Sequence, residues 1–264
     1  MAYEFIEVEK KGHLTIVTIN RPEVRNALHV PANQELDAAF NEFSDDPDAW
    51  VAIITGKGDR AFSAGNDLKW QAQHGPQALI EGLMALKGGF GGITSRFDCY
   101  KPIIAAVNGI AMGGGFEITL ACDIVIASEN AIFGLPEPKV GLIAGAGGIM
   151  RLTRKAPYTL AMGLILTGDT ISAKDAESYG LINELVPTSE EVLPTAEKWA
   201  EQILTCAPLA IRGAKEGVLL AQDKPLSQVV GKPYPGIMAA MQSEDLIEGA
   251  VAFAEKRPPQ WKGK

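Results

Sequence analysis

Short apolar runs punctuated by turn residues fill the first half of the chain, and they restrict the fold more than any other feature. His13 to Asn20 (HLTIVTIN) is rich in β-branched side chains and stops at Arg21-Pro22, the pattern of a strand ended by a turn. In Val30 to Phe43, Leu36, Ala39, Phe40 and Phe43 recur at three- and four-residue spacing, which predicts an amphipathic helix. Trp50 to Thr55 (WVAIIT), closed by Gly56, is apolar throughout, as a strand covered on both faces requires. A polar interruption, 67–100, follows this β-α-β unit, and its run Lys87-Gly88-Gly89-Phe90-Gly91-Gly92 is expected to be mobile. Further strands are predicted at Ile103 to Val107, Ile124 to Ala127 and Ala131 to Gly134, and strands alternating with helices imply an α/β layer architecture. From Thr159 the reading turns mostly helical. Ser172-Ala173-Lys174-Asp175 resembles a capping box opening a helix that stops near Gly180, and residues from about Glu190 onward read as a separate helical lobe.

With 264 residues, of which 47% are hydrophobic and 21% charged, burial can offset chain entropy. The formal charge of -8 comes without a long block of like charge, which argues against nucleic acid and anionic membrane partners. Cys99, Cys122 and Cys206 are widely spaced and odd in number, so neither a disulfide framework nor a zinc knuckle is expected. The opening MAYEFIEVEKKG lacks the apolar centre of a secretory signal, and no run reaches the roughly 18 apolar residues of a membrane helix; the expected location is cytoplasmic.

Two segments could hold an oxygen anion. Ala61-Phe62-Ser63-Ala64-Gly65-Asn66-Asp67-Leu68 follows the WVAIIT strand, and Asn108-Gly109-Ile110-Ala111-Met112-Gly113-Gly114-Gly115-Phe116-Glu117 follows IIAAV. Glycines at a strand-to-helix junction let backbone approach a ligand, and the helix start offers unpaired N–H groups. One such turn need do no more than permit tight packing; two of them point to a site. Two carboxylates stand in apolar surroundings nearby in sequence: Glu117 in the first turn of a helix that reads as buried, and Glu137 in Phe133-Gly134-Leu135-Pro136-Glu137. Taken singly, Glu117 could serve the helix dipole and Glu137 a surface turn. In one cleft they would share a water and raise or split each other's pKa, which is acid/base equipment.

AFSAGNDL, AAVNGIAMGGGFEITLACDIVIA, FGLPEPKVGLIAGAGGIMRL and EGAVAFAEKRPPQW, in this order, resemble the crotonase (enoyl-CoA hydratase/isomerase) superfamily, as do TINRPEVRNAL and LTGDTISAKDAESYGLINELVP; the likeness covers nearly the whole chain. The resemblance implies a crotonase-like spiral of repeated β-β-α units, with a core over 1–195 and a C-terminal helical lobe over 196–264 engaged in oligomer contacts. It implies an acyl-CoA substrate, no metal, no cofactor beyond the coenzyme A carried by the substrate, and a homo-oligomer, either a trimer or a dimer of trimers. Carried over residue by residue, it implies that the amides of Asn66 and Gly114 form an oxyanion hole and that Glu117 and Glu137 are the catalytic pair of members that hydrate a double bond. Coenzyme A would lie along Ala64, Asn66, Asp67 and Leu68, with Gly145 shaping the pocket. The chain departs from the family at Ala144, where hydratases often carry proline, and at Asn66, in place of a small alanine; the Asn66 backbone amide is expected still to serve, so that departure bears on substrate choice more than on reaction type.

His13, His29 and His74 are scattered and read as surface or turn residues; Cys122 reads as core, Asp123 as a backbone anchor, and Lys256-Arg257 as a solvated face, with contact to the nucleotide phosphates of coenzyme A as the alternative. The expected activity is hydration or dehydration of a 2-enoyl-CoA thioester. An isomerase or lyase on the same scaffold, or a non-catalytic acyl-CoA-binding protein, are the alternatives, and retention of both glutamates favours hydration.

Overall fold

A strand covered on both faces can be apolar at every position, and the runs described above behave in this way. The computed structural model describes residues 3–264. In chain order the strands are β1 (Ile6–Lys11), β2 (Leu14–Ile19), β3 (Val51–Gly56), β4 (Ala61–Ser63), β5 (Ile103–Val107), β6 (Ile110–Met112), β7 (Ile124–Ser128), β8 (Ile132–Gly134), β9 (Thr170–Ser172) and β10 (Glu184–Val186). The helices are α1 (Val30–Asp45), α2 (Leu68–Met84), α3 (Gly114–Ala121), α4 (Gly148–Lys155), α5 (Tyr158–Thr167), α6 (Ala173–Ser178), α7 (Ser189–Leu204), α8 (Pro208–Ala221), α9 (Leu226–Val229), α10 (Pro235–Met241) and α11 (Glu244–Glu255).

From β3 to β8, successive strands alternate between two sheets. A six-stranded sheet has the order β1-β2-β3-β5-β7-β10, and a four-stranded sheet the order β4-β6-β8-β9. The chain therefore lays β3 in the large sheet, β4 in the small one and α2 outside, then repeats with β5, β6 and α3. This is the expected β-β-α spiral. Every pairing within the large sheet is parallel except the β1–β2 hairpin, and β8–β9 is antiparallel in the small sheet.

Period-two alternation divides the large sheet's side chains between two cores. Ala52, Ile54, Ala105 and Val107 point towards α1 and the small sheet, in a core with Phe40, Phe62 and Phe116. Ile16, Val51, Ile53, Ile104 and Ile126 point the other way and are covered by Val192, Ala196 and Ala200 of α7. A boundary at 195/196 thus falls inside a helix that belongs to the core, and the helices that stand apart from the sheet begin with α8. The physical reason is plain: α7 buries one face of an otherwise bare sheet.

Two further readings need correction. The glycine run 88–92 is not a loose loop but a buried strap. Gly88 N–H donates to Asp37 Oδ1 at 2.7 Å and Gly91 N–H to Asn33 Oδ1 at 2.7 Å, both on α1, while Arg96 joins Asp37 at 3.0 Å and donates to the Gly92 carbonyl at 2.8 Å. The interruption before it contains α2, kinked at Gly75-Pro76, with none of its residues buried. The capping box at Ser172 behaves as expected, since its hydroxyl accepts from the Asp175 N–H at 3.1 Å at the start of α6.

Candidate active site

Close backbone packing puts the two glycine-rich junctions side by side. A Cβ on Gly65 would stand 2.7 Å from the Gly114 nitrogen. At the second junction each glycine gives way to a different neighbour: a Cβ on Gly113 would reach Glu137 Oε1 at 3.0 Å, one on Gly114 would collide with the Phe90 ring, and one on Gly115 with the Ser63 carbonyl. The triple glycine is therefore the imprint of three groups converging on the start of α3.

Around Asn66 the backbone is fixed on both sides, because Leu28 N–H donates to the Gly65 carbonyl at 2.7 Å and Asp67 N–H to the Leu28 carbonyl at 3.1 Å. The amides of Asn66 and Gly114 have no acceptor in the chain among the described residues. For Gly114 this follows from its place as the first residue of α3, where no helical carbonyl is available.

Glu117 and Glu137 face the same cavity, of about 270 Å³, which Ala64, Asn66, Leu68, Gly114 and Gly145 also line. The rest of its wall is apolar, from Leu79, Leu83, Phe90, Val140, Leu142 and Ile143. Glu117 is 4% exposed. Burial first, and then the negative charge of Glu137, raise its carboxyl to about 7, against the pull of the Gly148 and Ala146 amides and of Arg151. Its Oε1 accepts from the Gly148 N–H at 2.8 Å. Glu137 opens the 3-10 turn Glu137–Val140, its carboxyl is also raised by burial, and its Oε2 is buried without a partner.

Of the residues expected to act in catalysis or to hold coenzyme A, only Asp67 is absent from the lining of this cavity. Its carboxylate caps α2 by accepting from the Trp70 N–H at 3.1 Å and pairs with Arg21 at 3.0 Å, so its hydrogen-bonding capacity is used inside the fold. A short Asx cap followed by a helix is a local signal that could have assigned it this role. Cys122 is core, with its thiol pushed up to about 12 by burial, and Asp123 anchors the Ile103 N–H at 2.8 Å. His29 is buried and caps α1, its Nδ1 accepting from the Ala32 N–H at 3.2 Å. Arg257 is forked onto Glu248 at 2.6 and 2.9 Å. Gly148, the donor that fixes Glu117, was not marked as a site residue in the sequence, although the GAGG turn containing it was.

A strand spiral whose cavity sets two free amides beside two desolvated carboxyls defines a class of enzyme that steadies a carbonyl oxygen anion while moving protons at neighbouring carbons. The sequence model of the enoyl-CoA hydratase/isomerase family matches residues 9–264, and the chain belongs to that family. Carnitinyl-CoA dehydratase of Salmonella typhi is 40% identical over 269 residues, covering 99% of each chain. The crystal structure of enoyl-CoA hydratase from Mycobacterium tuberculosis H37Rv superposes with a TM-score of 0.90 at 36% identity, over 98% of this chain and 99% of that one. An enoyl-CoA hydratase from Bacillus anthracis gives 0.92 at 34% identity, over 99% and 100%.

Proposed function

We propose that this protein is a hydro-lyase that adds water to, or removes it from, a 2-enoyl-CoA thioester, using Asn66 and Gly114 as the oxyanion hole and Glu117 and Glu137 as the proton-transfer pair. One observation carries the reading: two unpartnered amides and two carboxyls with raised pKa line a single apolar cavity. As water attacks Cβ, negative charge gathers on the thioester oxygen, and each fixed N–H aimed at it contributes about 3 kcal/mol. Ionised Glu117 takes a proton from the attacking water. Glu137 in its acid form donates one to Cα, so one molecule of water is added and the pair exchanges one proton overall. The two carboxyls titrate as a coupled pair, and a value near 7 for Glu117 suits a base working at neutral pH. Coenzyme A lies along Ala64, Asn66 and Leu68, with Gly145 beside the acyl group.

Assembly as a trimer, or a dimer of trimers, in the cytoplasm completes the proposal. It is supported by large apolar side chains left bare on the late helices, such as Leu226 at 68%, Ile247 at 68% and Phe253 at 87% exposure. No helix among the described residues is long and apolar enough to cross a membrane.

The test is a panel of 2-enoyl-CoA thioesters with short, branched, aromatic and carnitine-like acyl groups, followed by loss of the conjugated-enoyl absorbance. At least one should be consumed, and Glu117→Gln and Glu137→Gln should each slow turnover by about 10²-fold or more. Full turnover in both variants would defeat the assigned roles.

A further inference from the structure

Arg151, on α4, is a half-buried cation that forms no ion pair among the described residues. Burial works against its charge, and a guanidinium set in such a place without a carboxylate partner needs another reason to be there. Its Nη1 donates to the Ala146 carbonyl at 3.3 Å and its Nη2 to the Thr94 carbonyl at 2.8 Å, with the guanidinium 5.6 Å from the centre of the Phe97 ring. Gly147 makes this possible, since a Cβ there would collide with Nη1. One end of this fork rests on the turn whose Gly148 N–H grips Glu117. The other rests on the segment that begins at Phe90, the ring packed against Gly114, with Thr94 N–H donating back to the Phe90 carbonyl at 3.4 Å.

We propose that Arg151 is a positioning residue for the reaction, joining the turn that orients Glu117 to the strap that supports the Gly114 donor. The inference rests on the hydro-lyase reading and extends it to a residue that does not line the reaction cavity. A planar fork suits the task, because it binds two carbonyls at a fixed separation where an ammonium binds as a point charge. The same cation favours the ionised form of Glu117. The charged groups bearing on Glu117 are Glu137 from the 3-10 turn, which disfavours that form, and Arg151 from α4. Arg151 in turn faces Arg154 and Lys155 on its own helix and Cys122, whose thiol stays neutral.

Arg151→Gln and Arg151→Lys separate geometry from charge. In Arg151→Gln, kcat should fall about tenfold or more with KM within about threefold, and the acidic limb of the hydration pH profile should move to higher pH. Arg151→Lys keeps the charge but not the fork, so the limb should stay near 7 while kcat still falls. A merely structural arginine would lower thermal stability and leave the limb in place. The decisive readout does not need turnover: carbon-13 NMR of the Glu117 carboxyl, assigned with Glu117→Gln, should titrate at higher pH in Arg151→Gln than in wild type. Identical titration in the two proteins overturns the proposal. A wild-type protein inert towards every enoyl thioester overturns the functional reading alone, and the titration still decides the role of Arg151. Should Arg151→Gln not fold, unchanged kcat in Arg151→Lys overturns the positioning role.

Discussion

The six-stranded sheet shows one kind of environment on the face covered by α7 and another on the side that leads to the cavity. Under α7, Val51, Ile53, Ile104, Val192, Ala196 and Ala200 are all completely buried, and none of the buried unpaired polar atoms among the described residues belongs to this core. Towards α3 and the strap, Asn66 Oδ1, Thr94 Oγ1, Arg96 Nη1 and Glu137 Oε2 are buried without partners, and Glu117 is ionised only with difficulty. The apolar face supplies stability, whereas the polar face gives some up to keep reactive groups dry. Substitutions on the two faces should therefore move different observables.

The largest effect is expected at Ile53→Ala. The side chain is fully buried between the sheet and α7, so truncation should cost about 4 kcal/mol of unfolding free energy, read from urea midpoints, with kcat unchanged at temperatures where the variant is folded. A loss of kcat in the folded variant would break the division between the faces.

Glu117→Gln should do the reverse, abolishing most activity while stabilising the fold. In the unfolded chain the carboxyl titrates near 4.5 and in the folded protein near 7. Below 4.5 it is protonated in both states and the difference vanishes. Between the two values folding takes up a proton, so stability declines as pH rises, and above 7 the full penalty is present, on the order of 3 kcal/mol. The variant should therefore gain up to that amount over wild type at pH 8 and almost nothing at pH 4. Equal midpoints at both pH values would mean that the carboxylate is not destabilised where it sits.

The legibility of the two faces in the sequence differs for the same physical reason. Strands β2, β3, β5, β7 and β8 are legible as short apolar or β-branched runs bounded by turn residues, and α1 by its 3.6-residue period, whereas the three-residue strands β4, β6, β9 and β10 are too short to show a pattern. β1 escaped because Glu7, Glu9 and Lys11 give an edge strand a polar appearance, and α2 because Gly75-Pro76 interrupts it and no apolar face is buried. The strap was misjudged because its anchors, Asn33 and Asp37, lie on a distant helix and no local signal announces the pairing. α7 could be recognised as a helix, but its stripe of Val192, Ala196 and Ala200 does not say which surface it covers. At the site, the glycine junctions and both glutamates were visible as motifs. Arg151 was not, since an arginine on an amphipathic helix reads as a solvated charge.

Gly148→Ala sharpens the comparison with one methyl group on the catalytic side. Its Cβ would stand 2.9 Å from Glu117 Cγ and 3.0 Å from Oε1, in a cavity with little room to yield. We expect kcat to fall between tenfold and about 10²-fold, or about 2 kcal/mol in barrier, and the crowding against Glu117 and Leu135 to cost about 1–3 kcal/mol of stability. The loss should largely vanish in a Glu117→Gln background, the non-additivity expected of two groups in contact. An additive loss would mean that Gly148 acts on something other than Glu117.

The smallest effect on activity is expected at Asp67, and it bears on where the active face ends. Asparagine caps a helix about as well as aspartate, so Asp67→Asn leaves the bond to the Trp70 N–H available and removes only the charge opposite Arg21. Both side chains of that pair are about nine-tenths buried, and the new amide turns a donor towards a guanidinium left with only its bond to the Ala27 carbonyl, so a loss of about 3 kcal/mol of stability should follow. KM for the acyl-CoA should stay within about twofold, because each oxygen of this buried carboxylate already has a partner inside the fold and neither lines the cavity. A change in KM of about fivefold or more, at unaltered stability, would place Asp67 on the ligand path and move the limit of the active face from Asn66 to the start of α2.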